Sequence, residues 1–540
     1  MPKISAGFWS TFPGLSKSPE LKRTGLFALI ATLGTWFGFA NPVLQVPLLA
    51  LTLPLCLTYT ALRADTPGKA AGTGFWISAP AYAAAMYWVA IPVRYFGGLP
   101  WGLALPCPVL LGMYMAGYAA VFTAAVQWGS RRFEPLLLGI YAGLVWGVLE
   151  LIRAHLLTGF PWLTTASAFV PWPVFIQGAA FVGEYGVGAL LVACAVWICT
   201  AGRSLVAPAC ALAVLTGLMV IGMHSLTAGV PAGERTARIS LIQGNIDQSL
   251  KWDRTFQQAT IDKYLELSRR EVINNTPDLL IWPETALPFY FQDRSILSKQ
   301  ITDFIQDVGV PLLTGAPAYA YLDPGPGATP SMYNRAYLLD AEGEITDRYD
   351  KEHLVPFGEY VPYTQFLPLP DDIAGLVGNF SAGSDPSPLR TSSLALGILI
   401  CYEAIFPELA RSRVAAGANL LINISNDAWF GRSSAPAQHL QSSAMRAVEQ
   451  NRYLIRATNA GISAIVDNHG RIIEATPLFK DRTLFSDRVP LLTATTPYHR
   501  HSGTIRYAMG IMLGAVFLAG KLCPSGVSRY TKACSPTHKN

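Results

Sequence analysis

Seven apolar runs of membrane-spanning length crowd the first 228 residues, and no other feature limits the fold as much. They cover roughly residues 25–41, 43–62, 74–93, 102–127, 135–152, 178–201 and 205–227, and about 20 residues of helix cross the apolar core of a bilayer. Between Thr24 and Ala228 there are eleven Asp, Glu, Lys or Arg residues, most of them at the joints between runs. A further run, Tyr507–Gly520, is short and qualifies only as a tilted or snorkelling eighth span. The chain is 51% hydrophobic and 14% charged, so this end of it reads as a membrane α-helical bundle of about eight spans.

Basic residues in the short loops set the expected orientation. Lys17, Lys22 and Arg23 precede the first run; Arg63 and Lys69, Arg131 and Arg132, and Arg203 occupy alternate loops; Lys521, Arg529, Lys532 and Lys539 follow the last run. The other loops carry only Arg94 and Arg153. Both termini are therefore expected in the cytoplasm and the insert 231–503 outside it. The expected division is a cytoplasmic segment over 1–24, the bundle over 25–230, an extracytoplasmic domain over 231–503, a final span over 504–522 and a cytoplasmic tail over 523–540. Charge divides the same way: +11 outside the insert and −6 within it, out of a net +5. The basic balance thus belongs to the flanks of the spans and not to a nucleic-acid surface. No cleavable signal peptide is expected, because further spans follow the first apolar run.

The insert is long enough for one sizeable core and alternates strand-like with helix-like segments. Arg238–Gln243, Leu279–Trp282, Leu394–Ile400, Asn419–Ile424 and Ile462–Val466 read as strands. Trp252–Ile273 and Ala437–Leu454 read as helices, and Arg335–Leu339 with Glu344–Tyr349 as a hairpin. This is the pattern of an α/β layered domain. The segment 362–389 mixes Pro, Gly and Ser with Phe366, Leu367 and Phe380, as expected of a lid or membrane-dipping arm.

Cys401 is the only cysteine between residues 231 and 503. It ends the apolar run Leu394–Ile400 and precedes a helix-compatible stretch, so its thiol is expected near a helix N-terminus, where the dipole lowers a thiol pKa. Glu284 follows the run LLIW, and Lys351 follows the second arm of the hairpin. Strand ends are where α/β sheets collect ligand sites. A carboxylate, an ammonium and a thiol there suggest nucleophilic acyl transfer: Glu284 takes the thiol proton, Cys401 attacks a carbonyl and Lys351 meets the oxyanion.

The phrases WPETALP, DKEHLVPFGEYVP, ICYEAIFPE and NISNDAWFG occur in that order and resemble the nitrilase, or carbon–nitrogen hydrolase, superfamily. Together with the spans, LTGFPWL at 157–163, QGNIDQSLKW at 243–252 and RATNAGISAIVDNHG at 456–470 narrow the resemblance to its membrane-embedded branch, the apolipoprotein N-acyltransferases of the Gram-negative inner membrane. The resemblance implies an α-β-β-α sandwich with Glu284 as general base, Lys351 as oxyanion stabiliser and Cys401 as nucleophile. It further implies that Glu359 supports Lys351, that Tyr402 and Glu403 shape the Cys401 pocket, and that Trp252 lies near the site against an acyl chain. Its implied substrates are a phospholipid donor, phosphatidylethanolamine by preference, and the diacylglyceryl-cysteine of an apolipoprotein as acceptor. The enzyme is expected as a monomer facing membrane lipid, with no cofactor and no nucleic-acid partner.

Other polar residues are read as structural. Asn423, Asn426 and Asp427 are expected to bind loop backbone, and Arg446, Arg452 and Arg456 to form salt bridges. His353 and His439 lack metal-ligand spacing. Glu150 with Arg153, three residues apart, is expected to pair near the outer boundary, since an intramembrane carboxylate is costly alone. Two rival functions are a membrane-bound amidase, passing the acyl group to water, and a transporter; few intramembrane charges and no paired interrupted helices speak against the second.

Overall fold

The computed structural model describes residues 19–229, 234–321, 329–362 and 378–522. Among these, five helices are long and apolar enough to cross a membrane: α4 (Trp101–Ser130), α5 (Pro135–Arg153), α6 (Ala179–Cys199), α7 (Val206–Thr227) and α12 (Pro497–Leu522). A sixth is α3 (Pro67–Ala85) taken with Tyr87–Tyr95, two pieces bent by 56°. The eight expected spans are therefore five or six here. Helix α1 (Pro19–Gly38) begins among Glu20, Lys22 and Arg23, which dilute its apolar character.

The expected span over 43–62 is not one helix. Asn41 folds the chain into a loop, donating from Nδ2 to the carbonyls of Trp36, Phe39 and Leu44 while its Oδ1 accepts from the amides of Val43 and Leu44. The apolar stretch that follows, a 3-10 turn and α2 (Thr52–Ala61), covers only Pro47–Ala61. In the other direction, the weak eighth run proves to be the C-terminal part of a 26-residue helix starting at Pro497. The boundary expected at 503/504 thus falls inside α12, two residues after a kink at His501. The helices pack through small residues: a Cβ at Gly112 would lie 2.7 Å from the amide nitrogen of Ala83.

The remainder is a two-sheet sandwich. Its strands are β1 (Thr236–Gln243), β2 (Leu279–Ile281), β3 (Leu312–Ala320), β4 (Ser331–Leu339), β5 (Ile345–Asp350), β6 (Leu389–Arg390), β7 (Ala395–Ile400), β8 (Leu420–Ser425), β9 (Leu454–Thr458), β10 (Ala464–Val466), β11 (Ile472–Ala475) and β12 (Arg482–Pro490). One six-stranded sheet runs β12-β1-β2-β3-β4-β5 and the other β11-β10-β9-β8-β7-β6. Those that carry the site are β2, β3, β4, β5, β7 and β8. Side chains alternate across a strand. Ile239, Leu241 and Ile281 of the first sheet accordingly meet Ile398, Ile400, Ile422 and Ile455 of the second in one buried layer. On the outer face of the first sheet, Trp282 and Leu280 pack beneath α8 (Arg254–Asn275) and α9 (Ile296–Val308) through Ile261, Tyr264, Ile301 and Ile305.

The second sheet is covered differently. Its outer residues Leu399, Leu421 and Leu454 share a core with α10 (Pro407–Ala415), α11 (Ala435–Gln450) and bundle residues that include Leu138, Trp162 and Ile176. Every residue of α11 except Ala437 is buried, whereas a helix on a free sandwich keeps one polar face in water. Bundle and sandwich are joined through this helix. Buried ions at the joint are paired: Arg446 of α11 binds Glu184 of α6 and, at 2.9 Å, Glu449.

Candidate active site

Three connections at strand ends carry the residues singled out in the sequence. Glu284 lies three residues beyond β2, Lys351 directly follows β5, and Cys401 directly follows β7. The Lys351 Nζ stands 3.9 Å from Glu284 Oε1 and 2.8 Å from Glu359 Oε2. Asn334, on β4, ties the two carboxylates by donating from Nδ2 to Glu284 Oε1 at 2.8 Å and to Glu359 Oε1 at 2.9 Å. Glu359 is itself fixed by the amide of Val355, which donates to Oε2 at 2.8 Å.

Close backbone approach makes room for Glu284. The chain at 283–285 crosses β3 at Gly315, where a Cβ would stand 2.6 Å from the Thr285 amide nitrogen and 2.9 Å from Glu284 Cα. Any side chain there would push the loop, and the carboxylate with it, out of place.

Cys401 has φ = 53°, a left-handed conformation uncommon for a residue with a side chain and concentrated at functional turns. The next residues form a 3-10 turn, Cys401–Ile405, and the α-helix starts only at Pro407. The expected helix terminus is therefore not at the thiol, and the expected depression of its pKa is not found. Burial, then the Glu284 carboxylate, push the Cys401 pKa up to about 12, against the pull of Lys351. Glu284 is also raised, by burial and by Glu359, although Lys351 opposes this. Burial alone would discharge Lys351, but Glu359, Glu284 and Cys401 hold its pKa above the ordinary lysine value. The site thus holds a neutral thiol within the field of a charged ammonium.

The supporting residues divide. Glu403 is fully buried and accepts from the amides of Ile400, Glu352 and His353 at 2.6, 2.6 and 2.9 Å, and from the Tyr349 hydroxyl at 2.8 Å. It therefore ties the turn after β7 to the turn after β5. Tyr402 points at the bundle: its hydroxyl donates to the Gly159 carbonyl at 3.1 Å, and its ring stacks on Trp162 at 6.4 Å. Trp252 is 51% exposed and sits just before α8. Its neighbour Lys251 is the buried one, its Nζ 3.5 Å from the Glu284 carbonyl oxygen. Burial lowers the Lys251 pKa to about 8, against the opposing pull of Glu284.

Sequence reasoning passed over Lys251 and Asn334. An Asn within the strand MYNRAYLL is a signal in hindsight, because Asn is depleted in strands; for Lys251 there was none beyond its place beside Trp252. Arg452 forms no salt bridge among the described residues and donates instead to the carbonyls of Ala418, Thr493 and Ala494. Glu150 takes its hydrogen bonds from Trp146 and Thr165 and not from Arg153. Most of the expected lid, residues 363–377, lies outside the described residues. Among the described residues no group of His, Cys, Asp and Glu has a metal-binding arrangement.

Residues 238–498 match the carbon–nitrogen hydrolase family, and residues 31–197 match the apolipoprotein N-acyltransferase N-terminal domain. The fold and site therefore define a carbon–nitrogen hydrolase sandwich built onto a multi-pass membrane bundle. The chain is 37% identical over 508 residues to an apolipoprotein N-acyltransferase of Geobacter metallireducens, covering 92% of this chain and 95% of that protein. It is 34% identical over 520 residues to one from Nitrosomonas europaea, covering 94% and 99%. The chain belongs to the apolipoprotein N-acyltransferase family. Among solved structures, an amidase from Nesterenkonia sp. is 21% identical and covers 49% of this chain and 95% of its own, with a TM-score of 0.35.

Proposed function

We propose that this protein transfers an acyl chain from a phospholipid, through a thioester on Cys401, to the N-terminal amine of a diacylglyceryl-cysteine. The observation that carries this reading is the meeting of Glu284, Lys351 and Glu359 in the layered domain that also bears the left-handed Cys401 turn, in a chain of this family. Glu284 takes the thiol proton as Sγ attacks the ester carbonyl of the donor. Lys351 faces the oxyanion that forms, in a buried site where a fixed charge acts strongly. Collapse breaks the ester C–O bond, and Glu284 returns the proton to the departing lysophospholipid. In the second half, the unprotonated amine attacks the thioester, Glu284 takes a proton from the nitrogen, and the thiol is restored as the amide forms.

An anchored bundle suits two substrates that are both held in a membrane. Phosphatidylethanolamine as the preferred donor, an extracytoplasmic position of the sandwich and the Gram-negative inner membrane as its location are part of the same proposal. Membership of this family favours transfer to an amine over release to water. The test is incubation of the purified protein with an alkyne-tagged phospholipid, with and without a diacylated lipopeptide. Wild type should gain a hydroxylamine-labile label that passes to the lipopeptide; Cys401→Ala should gain none. Label at wild-type level on Cys401→Ala, or release of free fatty acid alone, would refute the reading.

A further inference from the structure

We propose that His439 is a positioning residue for the nucleophile, holding the Cys401 turn by a hydrogen bond from its Nε2 to the Cys401 carbonyl. The inference rests on the reading of Cys401 as the acyl carrier. A left-handed residue that bears a side chain persists only where its surroundings over-determine it, and Cys401 has φ = 53°. Two side chains supply the constraint at its carbonyl oxygen: His439 Nε2 at 3.0 Å and Asn423 Nδ2 at 3.3 Å.

The hydrogen that the contact needs follows from its partner. A carbonyl only accepts, so Nε2 carries the hydrogen. On the other side Nδ1 meets Arg456 Nη2, which only donates, at 3.0 Å and Asp427 Oδ1, which only accepts, at 3.2 Å; with either of them Nε2 remains the donor to Cys401. Burial and the adjacent Arg456 lower the ring's pKa, against the pull of Asp427. Asp427 holds Arg456 in place, accepting from Nη2 at 2.7 Å, while its Oδ1 accepts from Ser425 Oγ at 2.9 Å and lies 3.2 Å from His439 Nδ1. His439, Asp427, Arg456 and Asn423 are all buried, so water cannot substitute for a lost partner.

The preceding residue of α11 faces the bundle. Gln438 Oε1 accepts from Trp88 Nε1 at 3.0 Å and from Trp162 Nε1 at 2.8 Å, and its Nε2 donates to the carbonyls of Ala40 and Ala85 at 3.1 and 3.3 Å. Adjacent residues of one helix thus grip the membrane bundle and the nucleophile's backbone. The bundle sets the position of the helix, and His439 passes that position to Cys401.

The experiment measures the rate of thioester formation from tagged phospholipid, across donor concentrations, for the full-length protein and three variants. In His439→Gln the side-chain amide reaches the place of Nε2; His439→Asn is too short to do so, and His439→Leu has no donor. The expected result is a maximal rate about 10- to 100-fold lower for Leu and Asn, the scale on which misplacement of a reacting group acts. Half-saturating donor concentration should be nearly unchanged, and Gln should restore most of the rate. Wild-type rates in Asn, or equal loss in Gln and Asn, would overturn the positioning role while leaving the thioester intact. Absence of label from the wild-type protein would overturn it together with the reading it rests on.

Discussion

At the scale of single residues, the candidate site is a balance among a carboxylate and a thiol each raised by burial and an ammonium held charged. Lys351→Met removes the charge that meets the oxyanion. Loss of one such donor costs about 3–4 kcal/mol of transition-state stabilisation, so acylation should slow by roughly two to three orders of magnitude. Lys351→Arg should not restore it, because a planar guanidinium does not occupy the place of a compact ammonium between Glu284 and Glu359. Single-turnover labelling with tagged phospholipid checks both. The pH dependence has a definite sign. Glu284 must be ionised to take the thiol proton, and its pKa stands above the ordinary 4.5. The acylation rate should therefore fall, as pH is lowered, earlier than it would for a free glutamate. Glu284→Gln should be slow and flat across that range; an acid limb surviving in this variant would assign the titration to another group.

At the scale of elements, Gly315→Ala is the sharpest test. Its Cβ would stand 2.6 Å from Thr285 N, so the 283–285 loop must shift; activity should drop at least tenfold, since a displacement of about 1 Å can cost a hundredfold, with a lower melting temperature. An unchanged rate would show that the loop adjusts freely. Strand ends were legible in the sequence because the runs before Glu284 and Cys401 are short, apolar and buried on both faces, and β7 and β8 have every residue buried. Strand β12 (Arg482–Pro490) was not, since its burial is mixed and Arg482, Asp487 and Arg488 break the pattern. Nor was β9 (Leu454–Thr458): apolar residues continue past α11, and only the left-handed Asn451, φ = 52°, ends the helix. The geometry around Cys401 escaped for a similar reason. Its carbonyl partners Asn423 and His439, and Arg456 behind His439, come from three separate elements, and spacing along the chain does not report contacts of that kind.

At the scale of the whole molecule, the orientation proposed from the basic loops is open to direct test. An alkaline phosphatase fusion after Asp350 should be active and one after Arg203 inactive; the reverse would place the sandwich in the cytoplasm. Assembly has its own logic. Strand β1 (Thr236–Gln243), just after the bundle's seventh helix, pairs antiparallel with β12, just before the last, joining Thr236 to Pro490. The first and last strands of the sandwich are therefore neighbours, and the first sheet cannot be completed until nearly the whole insert has been made. In a free chain, closing so long a loop carries an entropic cost that grows with its length and slows folding. Here α7 and α12 are both packed against α5 and α6 in the same bundle. The membrane thus acts as a clamp on the two ends of the loop, shortening the search that brings β1 to β12. Detached from its spans, the same sequence would have to make that search unaided, with the bundle-facing side of α11 open to water.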